Sequence, residues 1–428
     1  MTARLVYPIS VMITGVLLAL IAAGILGFGK ADFGDAEAYL ASARAIVQGQ
    51  AYPRESPVGD RLFRAPGYPL LIAFTWLFAP YSIAAIKLVQ AVLFGLLCAC
   101  IYAIAFRVLR DQRVACMSGL LVALNPLLLV MATDVQTEIP HATLVAAAVF
   151  FLLLSVDERR SHWAALAGLC LGWGSLFRPS TLPVGLGLLV GYLGMMICLV
   201  RKRWVALRLT GVALVAMLGV VLPWTVSNYQ ATGGLILITD ADGFAFWLGN
   251  HPLNLALYQG HLTSAEHSLI LSQVEAPRMI ELGGGSAWYS ALSLPERSAF
   301  WRELGLRYVT EDPLRSIQLW LYKAWGYWQP WLQPFGYSRW IVVSSGLVMV
   351  TLYALAVPGA VMLWRKQSGR PLVAMVLFLA VASTAVHVLT LSSVRYRLPF
   401  VDPYLSVFAA CTLSSMAGRL HLFSAQTP

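Results

Sequence analysis

The sequence predicts an all-α polytopic membrane protein with about ten transmembrane helices. Apolar residues make up 59% of the 428 positions and charged residues only 12%, and the mean hydropathy of +0.71 lies above the usual range of soluble domains. Several apolar runs approach the length that a bilayer core of roughly 30 Å requires. Since a backbone in lipid must satisfy its own hydrogen bonds, these runs are predicted to be helices.

The first run extends from Leu5 to Gly29 without a charged residue. A secretory signal peptide has a shorter apolar core of about 7–15 residues. The run therefore predicts an uncleaved first helix, with Arg4 on the cytoplasmic side.

A polar loop at 29–87 follows the first helix, and it contains one further apolar stretch. Residues 66–80 are apolar but cover only about half a span, and Pro66 and Pro80 stand at the two ends. This stretch predicts a helix that lies in the membrane interface and does not cross.

Nine further runs are predicted to span the membrane. They are 88–106, 114–133, 139–156, 163–177, 180–200, 205–227, 340–364, 371–392 and 399–418. With the N-terminus inside, every short basic loop falls on the cytoplasmic side, as the positive-inside rule requires. These loops carry Arg107, Arg110, Arg113, Arg159, Arg160, Arg201, Lys202, Arg203, Arg208, Arg365, Lys366, Arg370 and Arg419.

Residues 228–339 form the one long polar stretch, which the same alternation places outside. Helical periodicity with mixed charge at 295–309 predicts a small extracytoplasmic domain. It separates an N-terminal membrane module at 1–227 from C-terminal membrane helices at 340–428. Tryptophans crowd its end, and they fit an interfacial aromatic belt or, alternatively, a sugar-stacking surface. They are Trp320, Trp325, Trp328, Trp331 and Trp340.

Composition and motifs exclude several classes of function. The net charge of +10 comes from basic residues dispersed between apolar runs, which is unlike a nucleic-acid-binding stripe. All six cysteines lie in apolar runs without paired spacing, so neither a zinc site nor a disulfide framework is indicated. Gly-rich phosphate loops, HExxH, GxSxG and CxxC motifs do not occur in the sequence.

Carboxylates stand at the predicted outer ends of two helices. Asp35 and Glu37 would diverge on a helix, whereas Asp35 and Tyr39 would share a face. Glu138, with Asp134 one turn earlier, begins the fourth span. Each acid also has an interpretation without a catalytic role. Asp35 could be a solvated loop residue, and Glu138 could serve the helix N-terminus alone.

Arginines stand on the same predicted side, at Arg64, Arg178, Arg395 and Arg397. Their planar guanidinium groups can bind two phosphate oxygens at once. The alternative for each is an interfacial anchor. Asp402 fits a structural ion pair with one of the last two arginines better than a catalytic role. Acids and arginines beside apolar segments indicate a substrate with an anionic head and a lipid tail.

A series of short motifs runs along most of the chain, from Asp35 to Pro399. The motifs are Asp35-x-x-x-Tyr39, Arg64-x-Pro-Gly-Tyr-Pro69, Asn125-Pro126, Glu138, Arg178-Pro179, Pro223-Trp224-x-x-x-Asn228-Tyr229-x-x-x-Gly233, Gly249-Asn250 and Arg395-Tyr-Arg-Leu-Pro399. Their order resembles the bacterial GT-C glycosyltransferases. More narrowly, it is similar to the branch of protein O-mannosyltransferases and the lipid A aminoarabinose transferase.

The resemblance implies a polyprenyl-phosphate-linked sugar as donor and transfer to a glycan, lipid or protein on the outer face of a bacterial inner membrane. It implies that Asp35 is the general base and Glu138 a second acid. Arg64, Arg395 and Arg397 would contact the donor phosphate. The residues expected to line the site further are Glu37, Tyr39, Tyr68, Asp134 and Arg178.

Two departures from the family pattern affect this interpretation. The family often has adjacent Asp and Glu in the first loop, but Ala36 separates Asp35 from Glu37 here. Many relatives have Arg before the Asn-Tyr pair, where this chain has Ser227. The Asp-x-acid pattern is also compatible with a divalent metal, whose ligands would be Asp35, Glu37 and Glu138.

Two other functions stay open at this point. A polysaccharide polymerase or ligase would depend more on outer-loop arginines than on Asp35. A transporter or lipid flippase would have acids or broken helices near the bilayer midplane and inverted repeats. The sequence instead places its acids at outer helix ends.

Overall fold

The computed structural model describes residues 2–29, 35–54, 64–200, 203–331 and 339–424, and these segments contain helices and no strand. The all-helical prediction is confirmed. The first ten helices are α1 (Thr2–Leu26), α2 (Ala36–Val47), α3 (Gly67–Phe78), α4 (Ile83–Leu109), α5 (Gln112–Ala123), α6 (Pro126–Ala132), α7 (Glu138–Glu158), α8 (Ser161–Phe177), α9 (Thr181–Val200) and α10 (Arg203–Thr232).

Seven short helices follow in the outer segment, with one π-helical turn at Leu271–Glu275, and four helices complete the described chain. They are α11 (Ala241–Asn250), α12 (Leu253–Tyr258), α13 (Ser264–Ile270), α14 (Ala276–Gly283), α15 (Gly285–Ala291), α16 (Leu294–Glu311), α17 (Pro313–Trp328), α18 (Arg339–Arg365), α19 (Arg370–Leu389), α20 (Val394–Arg397) and α21 (Asp402–Ser424).

Seven of the described helices are long and apolar enough to cross a membrane, namely α1, α4, α7, α9, α10, α18 and α19, and the pair α5 and α6 makes eight if it counts as one span. This pair replaces the straight span predicted at 114–133 and is bent by 58°. Asn125 causes the break, because its Oδ1 accepts from the backbone N–H groups of Leu127 and Leu128 and Pro126 begins the new helix. The predicted spans at 163–177 and 399–418 form α8, with 17 residues, and α21.

Helix α3 has 12 residues, about 18 Å at 1.5 Å per residue, which is too short to cross. It packs across the end of α8, where a Cβ at Gly67 would lie 2.8 Å from the backbone of Leu176. Only glycine permits this close approach. Tyr68, Ile72 and Trp76 of α3 are buried with Leu40 of α2 in one cluster. The predicted first-loop helices are therefore present, and they pack on the bundle.

The outer segment has a small aromatic core of its own. Trp247, Leu271, Tyr289 and Trp301 are buried together, and a capping box between Ser293 and Glu296 begins α16. This helix lies where periodicity predicted one. Helix α10 runs five residues beyond its predicted end at 227 and reaches Thr232, so the outer segment begins on a continuous helix.

The basic loops meet at the end of the bundle away from Glu138. Nε of Arg107 lies 2.8 Å from Oδ2 of Asp157, and Nη2 of Arg208 donates to the carbonyl oxygen of Arg159 over 3.0 Å. These contacts join the end of α4, the end of α7 and the start of α10. Arg201, Lys202 and the side chain of Arg419 lie outside the described residues.

Candidate active site

Two carboxylates and three arginines meet at one end of the bundle. Asp35 Oδ1 lies 3.3 Å from Nη2 of Arg64, and Asp35 Oδ2 lies 3.8 Å from Nη2 of Arg395. Nε of Arg395 donates to Oε1 of Glu138 over 2.8 Å, and Nη2 of Arg178 donates to the same oxygen over 3.3 Å. We call these five residues the arginine cluster.

Helix termini and short connections bring the five residues together. Asp35 directly precedes α2, and Glu138 is the first residue of α7. Arg178 follows α8 in extended backbone, and Pro179 then prevents the helix from continuing. Arg395 lies in the short helix α20, whose N-cap Ser393 accepts from the Arg395 backbone N–H. Because successive spans alternate in direction, the helix ends that carry these residues face the same side.

The two carboxylates differ in access to solvent. The side chain of Asp35 is 40% exposed, whereas that of Glu138 is 0% exposed. Glu138 is occupied by Arg178 and Arg395, so it serves to hold these guanidinium groups in place. Burial by itself would lower the pKa of Arg395, but the adjacent Glu138 carboxylate raises it above its usual value. Arg395 therefore stays charged.

One donor of the arginine cluster and one beside it are buried without a partner among the described residues. They are Nη1 of Arg178 and Nε2 of Gln136, although Gln136 Oε1 accepts from Nη2 of Arg395 over 2.8 Å. Buried polar groups in native proteins are nearly always satisfied by protein, water or ligand. Donors that converge in this way favour an anion.

Three predicted lining residues support the cluster from one side. The rings of Tyr39 and Tyr68 meet edge to face at 5.1 Å. Burial and then the charge of Asp35 raise the pKa of Tyr39 to about 12, so its hydroxyl remains a donor. The hydroxyl of Tyr68 donates to Gln90, whose amide donates to the carbonyl oxygen of Asp134. Tyr39, Tyr68 and Asp134 thus form a packed and hydrogen-bonded floor under the arginine cluster.

Glu37 does not join the other carboxylates. It is exposed and pairs with Arg44 over 2.8 Å, because residues i and i+2 point apart on a helix. Arg395 lies between Asp35 and Glu138, and the described residues contain no group of three or more His, Cys, Asp or Glu side chains that could hold a metal ion. The three carboxylates proposed from sequence therefore do not fit a metal site in this arrangement.

Arg397 lies apart from the arginine cluster. Nε and Nη2 of Arg397 donate to the two oxygens of Asp402 over 2.7 and 3.1 Å, and both side chains are 0% exposed. Nη1 of Arg397 donates to the carbonyl oxygens of Tyr327 and Gln329. Arg397 therefore joins α20, α21 and the end of α17, and Asp402 forms the ion pair that the sequence indicated.

Arg54 was not among the site residues predicted from the sequence. Its Nη2 donates to Ser227 Oγ over 2.8 Å, its Nε donates to Asn228 Oδ1 over 3.3 Å, and its guanidinium lies 5.3 Å from the ring of Trp224. A first-loop arginine thus stands where Ser227 replaces an arginine of the family pattern. The two positions are 173 residues apart, and no sequence signal joins them.

A cavity of about 690 Å³ opens beside the arginine cluster. Arg178 and Tyr396 line one part of it, and the guanidinium of Arg178 stacks on the Tyr396 ring at 4.7 Å. Leu182, Leu235 and Leu237 line another part. The cavity thus joins a cationic group to an apolar wall.

Comparisons with known proteins agree with this fold. A family model described as Dolichyl-phosphate-mannose-protein mannosyltransferase matches residues 64–226, which include Arg64, Glu138 and Arg178 but neither Asp35 nor Arg395. No curated protein matches the sequence.

Among solved structures, the Archaeoglobus fulgidus oligosaccharyltransferase tethered with an acceptor peptide containing the NVT sequon is similar, with a TM-score of 0.59 and 15% identity. The match covers 98% of this chain and 51% of that protein, so this chain spans about half its length. ArnT from Cupriavidus metallidurans bound to undecaprenyl phosphate has a TM-score of 0.41 and 16% identity, over 95% of this chain and 78% of ArnT. The chain therefore has the GT-C-type membrane fold that the sequence predicted, with residues 64–226 similar to protein mannosyltransferases.

Proposed function

We propose that this protein is a membrane glycosyltransferase that moves a sugar from a polyprenyl-phosphate-linked donor to an extracytoplasmic lipid, glycan or protein. The observation that carries the proposal is the position of Asp35. It is a partly exposed carboxylate within 4 Å of two arginines, Arg64 and Arg395. A base and a phosphate-binding group thus lie side by side, as glycosyl transfer from a phosphate ester requires.

Asp35 accepts the proton of the acceptor hydroxyl as the acceptor oxygen attacks C1 of the sugar. The bond between C1 and the phosphate oxygen breaks, and the lipid phosphate leaves with its electron pair. Arg64 and Arg395 stabilise the charge that develops on the leaving phosphate. Glu138 fixes the orientation of Arg395 and Arg178 and is a positioning residue in this mechanism.

The donor fits the cavity beside the cluster. Its phosphate would lie where Arg178 meets Arg395, since both donate to Oε1 of Glu138. Nη1 of Arg178 is a buried donor there without a partner among the described residues. The isoprenoid chain would follow Leu182, Leu235 and Leu237, because burial of apolar surface favours a hydrocarbon there.

The reaction side follows from the charge distribution. The basic end of the bundle, with Arg107, Arg159 and Arg208, is expected in the cytoplasm. The arginine cluster lies at the other end, so we place the reaction on the outer face, in a bacterial inner membrane.

The test measures consumption of labelled polyprenyl-phosphate sugars by purified protein in detergent. Asp35→Asn is expected to lower the rate by about 10² or more, as loss of a general base does. Glu37→Gln is the matched control, because Glu37 is a nearby exposed acid paired with Arg44, and it should retain the wild-type rate. Equal rates for Asp35→Asn and wild type would refute the role of Asp35. Consumption of no donor by folded wild type with acceptors present would refute the proposed function.

A further inference from the structure

A second cavity, of about 720 Å³, lies next to the first. Thr390 and Leu391 line both cavities, so the connection between α19 and α20 forms a shared wall. The same connection leads into Arg395. The second cavity is lined by an amine, three aromatic rings and two amides, which are Lys323, Tyr258, Tyr322, Trp325, Asn254 and Gln329.

Lys323 is the unusual group in this cavity. Its side chain is 1% exposed, and Nζ donates to the carbonyl oxygens of Gly249 over 3.0 Å and Thr390 over 2.6 Å. An ammonium group has three N–H donors, and both of these partners are neutral. Among the residues that the structure describes, no carboxylate lies within ion-pairing distance of Nζ. A buried cation without a counter-ion is costly, and burial lowers the pKa of Lys323 to about 7.

Within the described part of the chain, no carboxylate pairs with Lys323. Helices α12, α16, α19 and α20 pack against α17. The first and the last two carry Tyr258, His387, Arg395, Tyr396 and Arg397, and Tyr322 lies on α17 itself. Helix α16 carries Glu303 and Glu311, of which Glu303 pairs with Arg307 and neither pairs with Lys323. Arg395 and Arg397 are already held by Glu138 and Asp402. An anionic ligand in the cavity would therefore supply the counter-charge that the described residues around Lys323 do not.

The aromatic residues of the second cavity form flat surfaces that suit a sugar ring. The rings of Tyr258 and Tyr322 stack with centroids 6.2 Å apart and planes 11° apart. Trp325 is 62% exposed beside them. Flat aromatic surfaces pack well against the C–H faces of a sugar ring, while the amides of Asn254 and Gln329 can bond to hydroxyl groups.

We propose, resting on the proposed function, that this second cavity binds the acceptor as a saccharide carrying an anionic group, with Lys323 as partner of the carboxylate or phosphate and Trp325 beneath the ring. The acceptor and the donor then lie on opposite sides of the Thr390–Leu391 wall, and the chain continues from this wall to Arg395. This arrangement keeps the two negatively charged substrates in separate cavities until transfer.

The test is a calorimetric titration of the purified full-length protein at pH 6 with glucose, glucuronate and glucose 6-phosphate. We expect the charged sugars to bind at least ~10-fold more tightly than glucose, as one charge-assisted hydrogen bond permits. The stronger of the two identifies the acceptor group as carboxylate or phosphate. Lys323→Met should abolish the preference. Lys366→Met, the same change at an exposed lysine in the loop between α18 and α19, should leave it intact.

A pH series separates charge recognition from a merely structural role. Between pH 6 and pH 9 wild type should lose about 10- to 100-fold in affinity for the charged sugars, because the free amine deprotonates near pH 7. Lys323→Arg should stay nearly constant over this range. Trp325→Leu, at an exposed position that tolerates change, should weaken binding of all three sugars.

Retained preference in folded Lys323→Met, a flat pH profile in wild type, or no binding of either charged sugar would each overturn the proposal. Asp35→Asn separates this inference from the proposed function, since it should bind the charged sugars as wild type does while losing donor consumption. Intact sugar binding by a protein that consumes no donor would refute only the catalytic assignment.

Discussion

Nε of Arg395 donates to Oε1 of Glu138 over 2.8 Å, although the two residues lie 257 positions apart. The contact joins the start of α7 to α20 and so unites the N-terminal and C-terminal membrane helices at the candidate site. Glu138 is fully buried, and among the described residues its charge is balanced by the guanidinium groups of Arg395 and Arg178. The site therefore depends on the packing of both halves.

Arg395→Lys tests whether the guanidinium geometry matters beyond its charge. A lysine amine cannot reach Glu138, Gln136 and Asp35 together, as Arg395 does. We expect kcat/KM for the donor to fall by about 10- to 100-fold, in line with loss of one or two charge-assisted hydrogen bonds. Steady-state kinetics measure it. Arg110→Lys, at the exposed basic end, is the control, and equal losses in both variants would contradict the prediction.

Arg397→Met is expected to destabilise the fold by about 3–5 kcal/mol, because it leaves the Asp402 carboxylate buried without its partner. The double variant Arg397→Met with Asp402→Leu should recover much of this loss, since no buried charge remains. Thermal unfolding in detergent measures both. A fall in donor binding at unchanged stability would instead favour the sequence-based role of Arg397 at the donor phosphate.

Arg54→Gln is expected to slow donor consumption several-fold with little effect on stability. Arg54 fastens the first outer loop to Ser227 and Asn228, and nearby Tyr52 donates its hydroxyl hydrogen to the carbonyl oxygen of Arg64. Release of the loop would thus displace Arg64. A double-mutant cycle with Ser227→Ala measures the coupling. Independent, additive effects of the two changes would show that their contact is unimportant.

The outer segment should lose stability in mild acid through His251. Burial, then the charges of His267 and Arg315, lower the pKa of His251 to about 4. Oε2 of Glu275 lies 3.8 Å from Nε2 of His251 and favours the charged form, but burial outweighs it. Below about pH 6.5 the histidine becomes protonated in the unfolded chain but stays neutral in the folded chain. The free energy of unfolding therefore falls between about pH 6.5 and pH 4. The melting temperature should therefore drop less in His251→Gln than in wild type over this range. Parallel melting curves against pH would contradict this role of His251.

The hydropathy pattern was sufficient for the helical architecture. The uncharged run from Leu5 to Gly29 and the basic loops predicted spans and their alternation, because lipid imposes one strict rule on backbone and charge. The Asn125-Pro126 pair was visible in the sequence, yet its 58° bend was not predicted. Hydropathy is averaged over many residues, so it does not detect a bend that a single N-cap residue causes.

The candidate site could be predicted from the sequence only in part. Asp35, Arg64, Glu138, Arg178 and Arg395 were named from helix ends and from the family resemblance, and the structure brings these five together. Arg397 was named with them but is buried against Asp402. Arg395 and Arg397 are two positions apart on a short helix and therefore point in different directions, which the sequence motif alone does not show.

The sequence by itself determined that the chain is a helical membrane protein with acids and arginines at one set of helix ends. These properties depend on local composition and spacing. Tertiary structure alone decided that Glu138 holds two arginines while Asp35 stays accessible, that Arg54 reaches Ser227, and that Lys323 is buried beside a cavity. Contacts between distant positions decide burial and the pairing of charges, and burial and pairing decide what each group can do.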